Sequence, residues 1–242
     1  MPDPRLTLVA YGNPLDRKTW SSAPRNIYDA LIRQKCVVDP VNALTPNKVV
    51  KGIQLARQYL RYGNIYFRNT AFGRHHSACQ ARTGIDMAGN DHILHVSALH
   101  MPLPNIRPNE KHYLYLDFSW ALRMGSTERP PSTRFELDVE KLDRDAYAQI
   151  HHFFACSEYL RDHLIDYYGI PADRISVIGS GLSTGFIRPS SHQKDYTNGE
   201  ILFSSKIPGG WEYKGGALLL EGFKIARAKN PRLHLALVGN ES

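Results

Sequence analysis

The sequence predicts an α/β fold built on a parallel sheet, and three observations carry that prediction. Apolar runs of strand length alternate with segments of helical period, the signature of successive βαβ units. Several of the runs are apolar throughout, as strands covered on both faces are. Helix starts and stops are marked by capping residues, Gly and Pro. The expected strands are Leu6–Tyr11, Ile65–Phe67, His92–Leu99, Tyr113–Phe118, His152–Ser157, Ile175–Ile178, Ile201–Ser205 and Leu233–Val238. Pro24–Gln34 reads as a helix with Ile27, Ala30 and Leu31 on one face, and Pro24 suits its first turn, where a lost N–H has no partner anyway. Ser157 reads as the N-cap of a helix whose Leu160, Leu164 and Tyr168 recur every four residues, and Gly169 and Pro171 stop it.

The chain has 242 residues, 42% hydrophobic and 22% charged, which excludes disorder as the main state. No stretch approaches the roughly 20 apolar residues a bilayer span needs. The start, MPDPRLTLVAYGN, has no basic region followed by an apolar one, so a cytoplasmic protein is expected. Cys36, Cys79 and Cys156 are too few and too widely spaced for a disulfide framework or a metal knuckle, and they read as buried thiols. Residues 1–85 hold thirteen Lys or Arg against four Asp, although the whole chain is only +7. A field of that sign suits an anionic membrane surface, a phosphorylated ligand or nucleic acid.

Leu182–Asn198 is rich in Ser, Gly, Pro and polar residues without an apolar period, and reads as a linker. From Glu200 a strand, a Gly-rich turn, a helix with Leu219, Leu220, Phe223 and Ala226 on one face, and the strand LHLALVG make a single βαβ unit. One such unit buries little apolar surface by itself. The organisation expected is therefore an N-terminal domain over 1–182, a linker over 183–199, and over 200–242 the opening of a second, incomplete domain.

The segment ILFSSKIPGGWEYKGGALLLEGF carries the strongest chemical signal. A strand runs into a loop with Lys206, Gly209, Gly210, Lys214, Gly215 and Gly216, and the loop feeds a helix N-terminus. Glycines let a backbone approach a ligand closely, a helix N-terminus offers N–H donors and partial positive charge, and the two lysines add point charges for a diphosphate. The plainer reading is a turn with solvated lysines. The pattern is neither a Walker A nor a GxGxxG fingerprint.

FFACSEYLRDHLIDYYGIPADRISVIGSGL, followed by ILFSSK and KGGALLLEGFKIARAKNPRLHLALVG, resembles the hinge region and first C-domain unit of family 4 glycosyltransferases of the GT-B fold. TWSSAPRNIYDAL resembles the segment that begins the first helix of the N-domain in that family, and YLYLDFSW the strand end that faces the acceptor. The resemblance implies two Rossmann-like domains with an active site between them. It also implies transfer of a sugar, with retention at the anomeric carbon, from a nucleotide-sugar to a glycan or lipid-linked acceptor, as in polysaccharide biosynthesis.

Under that resemblance Lys206 stands where the family usually has Arg in a Gly-Arg pair, and Lys214 with Gly215 is its Lys-Gly pair. Both cations would hold the donor diphosphate and stabilise the charge that grows on it as the glycosidic bond breaks. Ser205 replaces the usual Gly, the loop between the lysines is longer than the family norm, and Lys offers a point charge rather than a fork. Gly12 falls in the loop that touches donor and acceptor in the family, or is a plain turn residue. Asp117 matches a polar strand-end position facing the sugar or acceptor, or is a cap or turn carboxylate. The family's Glu-x7-Glu motif has no counterpart here, since Glu241 comes too early, so the truncated chain is expected to have little or no transfer activity alone.

Asn47–Tyr62 reads as an amphipathic helix with Val49, Val50, Ile53, Ala56 and Leu60 on one face, and Lys48, Lys51, Arg57 and Arg61 mainly on the others. Its apolar face is expected to pack on the sheet; the alternative is that it lies on anionic lipid at the inner membrane surface. His92 and His95 are three apart on a strand and point to opposite faces, and no metal-ligand spacing occurs, so no metal and no cofactor beyond the co-substrate is expected. Cys156 lacks an evident base partner. The non-enzyme alternative is a basic α/β module binding nucleic acid or another phosphorylated ligand, because Tyr59, Tyr62, Tyr66 and Phe67 stand among arginines. Their core-like spacing and the absence of a recognised module argue against a nucleic-acid partner.

Overall fold

The structure is a computed structural model, described here for residues 3–44, 48–63, 70–125, 131–181, 199–205, 211 and 214–239. The chain divides into two compact units, Met1–Thr184 and Gly185–Ser242.

In the first unit the elements run β1 (Arg5–Ala10), α1 (Ala23–Arg33), β2 (Val37–Asn42), α2 (Lys48–Tyr62), α3 (Ala71–Ala88), β3 (His92–Val96), β4 (Lys111–Leu116), the short α4 (Trp120–Arg123), α5 (Arg134–Ala148), β5 (His152–Ala155), α6 (Glu158–Asp166) and β6 (Ile175–Val177). Six strands form one sheet in the order β2-β1-β3-β4-β5-β6, and every pair is parallel. Leu8, Val9 and Ala10 of the inner strand β1 are wholly buried, which is why that run is apolar without alternation. Val9, Val41 and Ile93 meet Ala78, Ala81 and Ile85 of α3 on one face. Leu114, Leu116 and Phe153 pack with Ala146 and Tyr147 of α5 and with Leu160 and Leu164 of α6. Leu8, Ala10, Val38 and Val96 meet Ile27, Tyr28 and Leu31 of α1 on the other face. At β4 and β5 that second face carries a half-buried aromatic ladder, with Tyr113 stacked on Phe154 at 6.2 Å between ring centroids.

Caps account for the helix starts. Ser157 Oγ accepts from Leu160 N–H at 3.2 Å, as its sequence position predicts. Thr70 Oγ1 accepts from Gly73 N–H at the start of α3, and Thr133 and Glu136 form a reciprocal capping box at the start of α5. Pro24 occupies the first turn of α1.

Three expectations need correction. β2 is an additional strand, in which Pro40 pairs with Leu8 at the rim of the sheet; a residue without an N–H is tolerated on an edge strand. The apolar residues Val49, Ile53 and Leu60 of α2 are exposed, Leu60 by 84%, while Gln54 and Gln58 turn inward at 5% and 2%. The helix forms where it is expected, but with its polar side inward. The three cysteines are free and half-buried rather than buried. Ile65–Phe67 lies outside the described residues.

The second unit contains β7 (Glu200–Ser205), α7 (Gly216–Lys229) and β8 (His234–Gly239), with the two strands parallel. Phe223 of α7 is buried, whereas Leu202, Leu218, Ile225, Leu237 and Val238 are exposed. The expected linker, 183–199, lies outside the described residues except for Gly199.

Candidate active site at the carboxyl edge of the sheet

The strand order turns about β1, with β2 on one side of it and β3 on the other. In an open parallel sheet the crevice at the carboxyl ends of two such strands is the usual ligand site. Here the residues that follow β1, β3 and β4 converge with α3 and α5: Trp20, Ser97, Asp117, Arg74, Asp143 and Tyr147 line one pocket. Its volume is about 20 Å³, room for a single water.

The backbone around this pocket is unusual. Trp20, Ser21 and Ser22 have φ of 47°, 52° and 72°, and Ser97 has φ of 77°. Left-handed non-glycine residues cost of order 1 kcal/mol or more each, and they gather at functional sites. The Trp20 indole N–H donates to the Tyr11 carbonyl at 3.0 Å, which ties the turn back to the end of β1. Beside Tyr11, Gly12 is buried with φ of 122°, and a Cβ there would stand 2.9 Å from Thr19 Cγ2, so both conformation and space demand glycine.

Asp117 follows β4 directly and stands at the rim of the pocket. Desolvation by the walls raises its carboxyl above the ordinary range, opposed by its own and Phe118's backbone N–H groups. The floor is the buried ion pair of Arg74 and Asp143, with Nη2 and Oδ1 2.6 Å apart and side chains 0% and 1% exposed.

A polar network that spacing does not disclose lies beneath α3. His95, His100 and His112 are buried and joined through ring nitrogens at 2.8 and 2.9 Å, and His112 Nε2 lies 3.3 Å from Glu110. Burial lowers all three imidazoles, His100 to about 3. Burial would raise the Glu110 carboxyl, but hydrogen bonds from Arg82 and Arg107 hold it at about 2. Glu110 accepts from Arg82 through both oxygens at 2.7 Å. With an ionised acceptor at one end, His112, His95 and His100 each donate toward Glu110. The wide sequence separation of the members hides the chain; only the unusual number of histidines hints at it. Ser119 Oγ lies 2.7 Å from buried His163 Nε2 and also caps α4, so it holds structure rather than opening to a ligand. Among the described residues no group of three His, Cys, Asp or Glu side chains is arranged for a metal ion.

In the second unit Lys214 Nζ donates to the Ser204 carbonyl at 3.2 Å, which sets its charge at the carboxyl end of β7. Gly215, with φ of 74°, is the N-cap of α7 and has no side chain to occupy the first-turn N–H groups. Gly216 packs against the Trp211 indole, which meets Phe203 edge to face. Lys206, Gly209 and Gly210 lie outside the described residues, as does Glu241.

Fold and pocket together define a Rossmann-like α/β chain with a pocket at the carboxyl edge of a parallel sheet. Residues 75–186 match the family described as Glycosyltransferase Family 4. A crystal structure of a glycosyltransferase from Rickettsia africae ESF-5 is similar over 100% of this chain and 69% of that one, with 12% sequence identity and a TM-score of 0.48. No curated protein matches the sequence. No helix among the described residues is long and apolar enough to cross a membrane.

Proposed function

We infer that the chain serves the transfer of a sugar from a nucleotide-diphosphate sugar to a glycan or lipid-linked acceptor, with little or no transfer by the 242 residues alone. The observation that carries this reading is the Lys214–Gly216 turn: an ammonium at a strand's carboxyl end beside a glycine-capped helix N-terminus is a ready diphosphate site. In this reading Lys214, the Gly215 backbone and Lys206 neutralise the diphosphate as it leaves. Cations fixed before the bond breaks favour the transition state because the charge grows where they already stand. Asp117 at its rim position, and the Gly12 loop at the end of β1, are the groups assigned to sugar and acceptor. No metal is required for this division of labour.

The reading extends to a peripheral contact with an anionic membrane. The exposed Val49, Ile53 and Leu60 of α2 support it, together with the basic excess of residues 1–85. Nucleic-acid binding is the rival function, and thermal stabilisation discriminates the two. UDP or GDP is expected to raise the melting temperature, and Lys214→Ala is expected to remove at least about tenfold of the affinity. A nucleotide effect equal in wild type and variant, or none at all, overturns the assignment.

A further inference from the structure

A second, larger concavity opens in the first unit, where the last turns of α2 meet the first turns of α3 and α5. It has a volume of about 480 Å³ and is lined by Arg57, Gln58, Arg61, Thr70, Phe72 and Arg134, among others, with no carboxylate in the lining among the described residues. α3 and α5 lead into β3 and β5 of a parallel sheet, so both start at its carboxyl edge. The groove therefore shares that edge with Asp117, and Arg74 of α3 lines the small pocket.

The charges are set for an anion. Arg57 is exposed and its guanidinium lies 4.9 Å over the Phe72 ring. Arg134 is exposed at the first residue of α5. Arg61 is engaged by Asp138 at 2.6 Å, and Asp138 also accepts from the Tyr62 hydroxyl at 2.7 Å. Among the described residues three guanidinium groups thus stand against one carboxylate, where the last turns of α2 meet the starts of α3 and α5.

The inner wall adds a second requirement. Gln58 is 2% exposed; its Nε2 donates to Thr70 Oγ1 at 3.3 Å, and its buried Oε1 has no hydrogen-bond partner among the described residues. A buried carbonyl left unmet is destabilising, and a hydroxyl donor would satisfy it. A phosphate with a hydroxyl a few bonds away meets both demands. We propose that this groove binds a phosphorylated polyol on the acceptor, with phosphate oxygens on Arg57 and Arg134 and a polyol hydroxyl on Gln58 Oε1. The acceptor role rests on the transferase reading above; the binding itself does not.

The chemistry is shared by a soluble polyol phosphate and a phospholipid head group, and titrations of the whole chain separate the two. The probes are glycerol phosphate, inorganic phosphate, and phosphatidylcholine vesicles with and without phosphatidylglycerol. Glycerol phosphate is expected to bind saturably and at least about threefold more tightly than inorganic phosphate. Arg57→Gln with Arg134→Gln is expected to weaken both by about tenfold or more. Gln58→Leu is expected to erase the advantage of glycerol phosphate while leaving inorganic phosphate as it was. A preference for phosphatidylglycerol vesicles that the double arginine variant loses identifies the source as lipid; saturable glycerol phosphate binding without it identifies a soluble acceptor. Absence of saturable binding to any probe, or binding unchanged in the double arginine variant, overturns the proposal. Both arginines are exposed, so the variant is expected to fold, and its circular dichroism spectrum checks this. The variant should keep its UDP or GDP response, so a failed groove with an intact nucleotide effect sinks only this proposal. The reverse pattern sinks only the transferase reading.

Discussion

Removing the Asp143 carboxylate takes a close counter-charge from the buried Arg74 guanidinium, the two side chains being 1% and 0% exposed. Asp143→Ala is therefore expected to cost about 3–5 kcal/mol, read as a shift in the urea midpoint at unchanged slope. Replacing both partners together by apolar residues of similar volume should cost far less. An Asp143→Ala variant as stable as wild type would show that the pair is not closed to water. At this scale the sequence was partly legible: Gly12 and Asp117 follow apolar runs, and strand ends are where a parallel sheet presents ligands. Arg57, Thr70 and Arg134, or His95, His100 and His112, come together only in three dimensions, and no local period connects them.

Contact between α3 and β2 is tight at one point. A Cβ on Gly84 would stand 2.4 Å from Val41 Cγ1, and Gly84 lies inside the helix where neither partner backbone gives easily. Gly84→Ala is expected to destabilise by about 1–3 kcal/mol despite its better helix propensity, and Val41→Ala in the same chain should recover part of the loss. A destabilisation that Val41→Ala leaves untouched would place the strain elsewhere. Elements with strong punctuation are readable in advance: α6 between Ser157 and Gly169, α1 behind Pro24, and most strands. α3 and α5 are not anticipated, because their inward faces carry Arg74, Ser77, Arg82, Glu136 and Asp143 and blur the apolar period. α2 shows the opposite failure: a clear apolar stripe points outward because Gln54 and Gln58 line the groove.

Over the whole molecule, buried histidines make stability a function of pH. His95, His100 and His112 are neutral in the fold and take up protons more readily when unfolded, His100 titrating at about 3 against 6.5. Lowered folded values mean that their contribution is complete above about pH 6.5 and is lost as pH falls toward 3. Arg74 faces His100, and Arg82 faces His95 and His112, so cations on α3 add to the penalty. Glu110, held at about 2 against 4.5, loses its share only in the lower window, from pH 4.5 down to 2. Unfolding free energies from urea titrations are expected to fall below about pH 6.5, by up to about 1.4 kcal/mol per pH unit for each imidazole that stays neutral. His95→Gln should flatten the profile, and a profile equally steep in that variant would remove the histidines from the account. The identity of the edge strand is not legible in the sequence, because Pro40 argues locally against any strand. That same proline has a consequence for life in a crowded solution: an incoming extended chain that tried to lengthen the sheet beyond β2 would meet a gap in the row of amide protons, and fibre growth from that rim would stall at its first rung.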